Sequence, residues 1–204
     1  MLLQRRLPAY LAVAVFAFSA GVGAGWLRWK RSVASYMMHR SLVIHEHAQE
    51  MPVAGTLVIG DSIIERQRLG DICGPTLNAG ISGATSADLY ALVSDVIRPT
   101  RPMRVVFNVG INDVLQGVLD LELQTHVEKM IAIANGAAVL VVGVPGGSAD
   151  SFLRAAAIRY GAQFIPYPVT EKADTIDGLH LNAKGAAGWQ AAVRDALCPR
   201  SQSN

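Results

Sequence analysis

The chain has 204 residues, of which 51% are hydrophobic and 17% charged, enough for one domain of ordinary size plus a short extra segment and too apolar for a disordered chain. Of its 18 Lys and Arg, six (Arg5, Arg6, Arg28, Lys30, Arg31 and Arg40) fall within residues 1–40, which hold no Asp or Glu. The rest of the chain therefore has 12 basic against 16 acidic residues. A domain with that deficit lacks the clustered Lys and Arg that phosphate-backbone binding needs, so nucleic acid is set aside as a partner.

From Leu7 to Leu27 there is no charged residue. Roughly 20 apolar residues in a helix span a bilayer core of ~30 Å. Arg5 and Arg6 precede the stretch, and Trp26, Arg28, Trp29, Lys30 and Arg31 follow it as an interfacial anchor. Residues 1–31 are thus expected to be one N-terminal transmembrane helix, touching the membrane through residues 7–29, with the following domain exported. The rival is a signal peptide cleaved near Val22-Gly23-Ala24, which would leave a secreted protein. Gly21 and Gly25 form a GxxxG pair, more simply read as small residues ordinary in a membrane helix. Residues 32–54 are expected to be a polar juxtamembrane linker. Its His45-Glu46-His47 is not the zinc motif HExxH, because position 49 is Gln49.

Residues 55–204 alternate short β-branched runs with longer amphipathic ones, the pattern of a parallel sheet with crossover helices. The expected strands are Thr56–Gly60, Thr76–Gly80, Met103–Val109, Ala138–Val144 and Gln163–Pro166. The expected helices cover about 62–72, 85–97, 118–135, 148–160 and 183–197. In the third helix Leu119, Leu123, Val127, Met130, Ile131 and Ala134 recur at three- and four-residue spacing, as one buried stripe. The expected fold class is α/β, a single three-layer, doubly wound domain with a five-stranded parallel sheet. In such sheets ligands bind outside the carboxyl ends of the strands.

Three groups of residues fall at that edge. Ser62 follows the first strand, Asn112 follows the third, and Asp177 and His180 precede the last helix. A serine hydroxyl becomes a nucleophile when a positioned base takes its proton, and the base needs a partner that sets its tautomer. Asp177, three residues before His180 across a turn containing Gly178, can reach the ring from the same loop. The Ser62 N–H at a helix N-terminus, the Asn112 amide and the N–H of Gly83 are candidate oxyanion donors. Asp61 and Asp113 are expected to bond local backbone, and His126 to be solvated on a helix face. Gly146-Gly147 forms a loop after the fourth strand, a candidate lining of the cleft.

These blocks resemble those of the SGNH (GDSL-type) hydrolases, a superfamily of serine esterases and lipases. A strand ending in GDS followed by Ile matches Gly60–Ile63 and implies Ser62 as nucleophile. An Asn followed by a Gly-rich turn matches Asn78–Thr85 and points to Gly83. GxND matches Gly110–Asp113 and implies Asn112, and DxxH matches Asp177–His180. The blocks lie in family order over residues 56–182, and the resemblance implies a flavodoxin-like sheet. One departure is SGAT in the second block, where many relatives have an acid before the Thr. The α/β-hydrolase elbow GxSxG is absent, since Ile63 and Ile64 follow Ser62.

The expected activity is cleavage of carboxylic esters through an acyl-enzyme on Ser62, with a small acyl group on an envelope polysaccharide or lipid as substrate. Capture of the acyl group by a sugar hydroxyl would make the protein an O-acyltransferase. A catalytically silent, membrane-held module in polysaccharide export is the alternative outside enzymes. No metal, nucleotide or cofactor motif is visible. Cys73 and Cys198 should both lie at the end of the sheet opposite the site, where either a disulfide or two free thiols fits.

Overall fold

The computed structural model describes residue 28, residues 31–51 and residues 55–198. The chain divides into two compact units, Met1–His39 and Arg40–Asn204. Among the described residues no helix is long and apolar enough to cross a membrane. The apolar stretch 7–27, with the Gly21–Gly25 pair and the Val22–Ala24 triplet, lies outside them.

Residues 31–50 are helical (α1). Most of the stretch expected as a linker at 32–54 is therefore helix, and from Arg40 onward it belongs to the same unit as the sheet. Ile44 and Ala48, one helical turn apart, are buried, and a polar connector would leave such positions in water.

The sheet consists of β1 (Thr56–Gly60), β2 (Thr76–Gly80), β3 (Arg104–Asn108), β4 (Ala138–Val142) and β5 (Gln163–Ile165), all parallel, in the order β2-β1-β3-β4-β5. This is the flavodoxin-like order, and its crevice lies between β1 and β3 at their carboxyl ends. Every residue of β1 is buried, as expected of a strand covered on both faces, which is why these strands read as unbroken apolar runs. The helices are α2 (Ser62–Glu65), α3 (Ser86–Thr100), α4 (Ile111–Gln116), α5 (Asp120–Ile133), α6 (Asp150–Arg159) and α7 (Ala183–Leu197).

Three elements depart from expectation. The helix expected at 62–72 is a single turn ending at Glu65. A side chain from the neighbouring strand takes carbonyls at and just past its end: Asn78 Nδ2 donates to Ile64 O at 2.8 Å and to Gln67 O at 3.0 Å. In the third expected helix Leu123, Val127, Met130, Ile131 and Ala134 are buried, but Leu119 is 72% exposed. Leu119 caps α5 in an extended conformation, so its side chain leaves the helical stripe. The short α4, which places Asn112, also falls where no helix was expected.

α7 anchors the sheet from one face. Trp189 is fully buried, and its indole N–H donates to Asn108 Oδ1 at 3.0 Å, while Asn108 Nδ2 donates to Gly143 O at 3.2 Å. Cys73 and Cys198 form a disulfide with Cα atoms 5.5 Å apart, joining positions 125 residues distant. Since α2 ends after one turn, the chain reaches Cys73 through a non-helical segment and not along a helix.

Candidate active site

The site lies at the carboxyl ends of β1, β2 and β3. Asp61 is the N-cap of α2, its Oδ1 accepting the N–H of Ile63 at 2.9 Å. That cap starts a helical turn directly after the strand and sets Ser62 as its first residue, buried but for its edge facing the cleft. His180 Nε2 is 2.9 Å from Ser62 Oγ, across 118 residues of chain. His180 Nδ1 is 2.6 Å from Asp177 Oδ2. With Nδ1–H donating to the carboxylate, Nε2 is left as the acceptor for the serine proton.

The loop that carries the acid and base is fixed by its backbone. Asp177 Oδ1 accepts the N–H groups of His180 at 2.8 Å and Leu179 at 3.1 Å. The Ile176 N–H donates to His180 O at 2.7 Å. Asn182 then caps α7, accepting from Lys184 and Gly185 while its amide donates to Ala173 O at 2.8 Å. The Asp177 carboxyl is held well below the usual carboxylate range, first by the His180 N–H, then by the His180 ring and the Leu179 N–H. It therefore stays ionised wherever the imidazole has to be oriented.

On the other side of Ser62, Ile81–Ala84 makes a tight turn closed by the Ala84 N–H to Ile81 O bond at 3.2 Å. Gly83 sits at its third position with φ 78°, a conformation that type II turns reserve for glycine. Among the described residues neither the Ser62 N–H nor the Gly83 N–H has an acceptor. Asn112 Nδ2 donates to Ala84 O at 2.9 Å, which leaves the second amide hydrogen for a ligand. The residues singled out from the sequence thus fall on one edge: Ser62, His180 and Asp177 in one hydrogen-bonded run, and Gly83 and Asn112 at the adjoining turn.

Two sequence expectations change. Asp61 bonds local backbone as expected, but Asp113 bonds Ser86, 27 residues away. His126 is not simply solvated: its Nδ1 is 3.0 Å from Ser86 Oγ and its ring stacks on Tyr90 at 6.0 Å. Sequence reasoning missed Ser86, because only the three-dimensional approach of α3, α4 and α5 brings those groups together. His45 bonds Gln49 one turn on, and no group of three or more metal-ligating side chains occurs among the described residues.

A cavity of about 720 Å³ adjoins Asp177, walled by the loops after β4 and β5. Gly146 and Gly147 line it, together with Tyr167, Lys172 and Leu179.

No protein-family model matches the chain. Esterase TesA of Pseudomonas aeruginosa is 36% identical over 90 residues, 42% of this chain and 45% of that protein, so the match spans just under half the length of this curated relative. A crystal structure of TesA superposes with a TM-score of 0.54 at 25% identity, covering 69% of this chain and 94% of that one. A Streptococcus pneumonia protein provisionally described as a platelet activating factor gives 0.69 at 18% identity, over 88% and 98% of the two chains. A GDSL-like lipase of Bacteroides thetaiotaomicron gives 0.54 at 20% identity, over 71% and 89%. The structural neighbours are SGNH-hydrolase and GDSL-like esterases and lipases, and the chain has their fold.

Proposed function

We propose that this chain, which has the SGNH-hydrolase fold, is a serine hydrolase that cleaves carboxylic esters through an acyl-enzyme on Ser62. The observation that carries this reading is the run from Asp177 through His180 to Ser62 beside two N–H groups without acceptors. Ser62 Oγ attacks the acyl carbonyl and its proton passes to His180 Nε2, which delivers it to the departing alkoxide. Water then attacks the acyl-enzyme, gives its proton to Nε2, and the proton returns to Ser62 Oγ. The N–H groups of Ser62 and Gly83 and the Asn112 amide hold the oxyanion in both steps.

The substrate class we favour is a small acyl group on a bulky polar carrier such as an acetylated polysaccharide. The cavity beside Asp177 combines apolar walls at Val144 and Tyr167 with Thr170, Glu171 and Lys172, a mixture suited to a hydroxylated carrier. We further propose that residues 7–29 tether the domain to a membrane with the hydrolase on the exported side. The Cys73–Cys198 disulfide fits an oxidising compartment, and the tether is tested by whether the full chain, but not residues 40–204, sediments with membranes after alkaline extraction.

A fluorophosphonate probe and a series of p-nitrophenyl esters test the activity. Labelling and turnover of wild type, both lost in Ser62→Ala, with acetyl preferred over octanoyl, are expected. Folded wild type that neither labels nor turns over any ester would favour a binding module.

A further inference from the structure

We infer that Glu65 and Arg40 are positioning residues for the oxyanion hole, and that α1 through Arg40 is part of the catalytic apparatus. This rests on the esterase reading above. The single turn of α2 carries Ser62 at its start and Glu65 at its end. Glu65 Oε2 accepts the backbone N–H of Ser82 at 2.5 Å. Ser82 is the second residue of the turn that carries Gly83, so Glu65 sets the plane of the peptide just before the Gly83 donor. The same helical turn thereby holds the Ser62 N–H and, through Glu65, the loop that supplies Gly83.

Asn112 fixes the far side of that turn through Ala84 O. The loop is pinned at both ends, and tilting either would move the Gly83 N–H off the oxyanion. The close approach of α2 to β2 permits this: a Cβ on Gly80 would lie 2.3 Å from the Glu65 backbone nitrogen, so only glycine lets α2 sit there.

Arg40 reaches the same point from outside the sheet. β2 is an edge strand, and the carbonyls of Asn78 and Gly80 point along its open edge. Arg40 Nε donates to Gly80 O at 3.0 Å and its Nη2 to Asn78 O at 3.2 Å. The same guanidinium lies 3.5 Å from Glu65 Oε1, with both side chains about four-fifths buried. Taking a carboxylate this far out of water costs free energy that an opposite charge beside it offsets. The Arg40 fork supplies that charge while covering two edge carbonyls.

Backbone amide hydrogen exchange and steady-state kinetics on p-nitrophenyl acetate test the inference, using the full chain with Glu65→Ala, Glu65→Gln, Arg40→Ala and Arg40→Lys. Glu65→Ala is expected to speed exchange at the Ser82 amide and to lower kcat by about tenfold or more, short of the 10²–10³ lost with a whole oxyanion donor. KM should stay within about twofold and the pH profile should keep its shape, because the His180–Asp177 pair is untouched. Arg40→Ala should act in the same direction more weakly, with Arg40→Lys recovering part of the loss. Glu65→Gln, which retains an acceptor, covers the case in which Glu65→Ala fails to fold, and should lie between wild type and Arg40→Ala in Ser82 exchange. Unchanged kcat in a folded Glu65→Ala, or unchanged Ser82 exchange, overturns the positioning role while leaving the esterase reading intact. Wild type without turnover or probe labelling overturns both.

Discussion

Asp113 accepts both the backbone N–H of Ser86 at 2.9 Å and its hydroxyl at 2.6 Å, joining the first turns of α3 and α4 immediately beside Asn112. Both residues are buried, so the pair exchanges water for two charge-assisted bonds beside Asn112. Ser86→Ala removes one bond from a buried carboxylate and the hydroxyl partner of His126. It should cost about 1–3 kcal/mol in urea unfolding at pH 7, with a several-fold loss of kcat through Asn112. Unfolding midpoints equal to wild type would contradict this account of the pair.

Asp61 gives the fold a pH dependence of definite sign. Burial, with the charge of Asp113 adding to it, pushes its carboxyl up to about 7, while the Ile63 N–H works in the opposite direction. In the unfolded chain an Asp titrates near its ordinary value, so between about pH 4 and pH 7 the folded state holds a proton the unfolded state lacks. Stability from this group is therefore full at the acid end and declines as pH rises through that window. Asp61→Asn keeps the cap acceptor and removes the titration. Its stability relative to wild type should rise by a few kcal/mol from pH 5 to pH 8, and parallel melting-temperature curves would rule the assignment out.

The Cys73–Cys198 bridge closes a loop of 125 residues. Loops of that length sit at the upper end of disulfide stabilisation, and loss of the bridge should lower unfolding free energy by about 2–5 kcal/mol. The comparison is oxidised wild type against Cys73→Ser with Cys198→Ser, and wild type with reductant should move toward the double variant. Identical melting curves in all three would show that the bridge contributes nothing.

Trp189 offers a separate test of the core. Trp189→Phe keeps most of the ring but leaves Asn108 Oδ1 without its donor in a dry interior. A loss of about 1–3 kcal/mol is expected beyond the small change in packing. Trp189→Phe combined with Asn108→Val should not simply add the two single losses, because the orphaned acceptor disappears.

Much of this was legible in the sequence, for identifiable reasons. Strands covered on both faces cannot alternate, so VLVVGV and TLVIG stood out as apolar runs; the residues following the first and third strands located Ser62 and Asn112, and the DxxH block ahead of the last helix located His180. The rest depends on contacts between distant segments. Nothing local to residues 62–72 records that the Asn78 side-chain amide donates to the carbonyls of Ile64 and Gln67 where α2 ends. The second half of α1 carried a usable signal, Ile44 and Ala48 at helical spacing, masked by the polar residues between them. Arg40 on α1, Glu65 at the end of α2 and the Ser82 N–H just past β2 come from three distant segments, and only the packing of both helices against β2 brings them together.

The central claim is that a hydroxyl, an imidazole and a carboxylate act as one unit at Ser62. The most direct measurement is intact and peptide mass spectrometry of protein quenched during turnover of p-nitrophenyl acetate, for wild type and Asp177→Asn. The account predicts one added acetyl group on the peptide carrying Ser62 in wild type, forming far more slowly in Asp177→Asn and absent in Ser62→Ala. Acetyl transfer to another residue, or turnover that persists in Ser62→Ala, would contradict it.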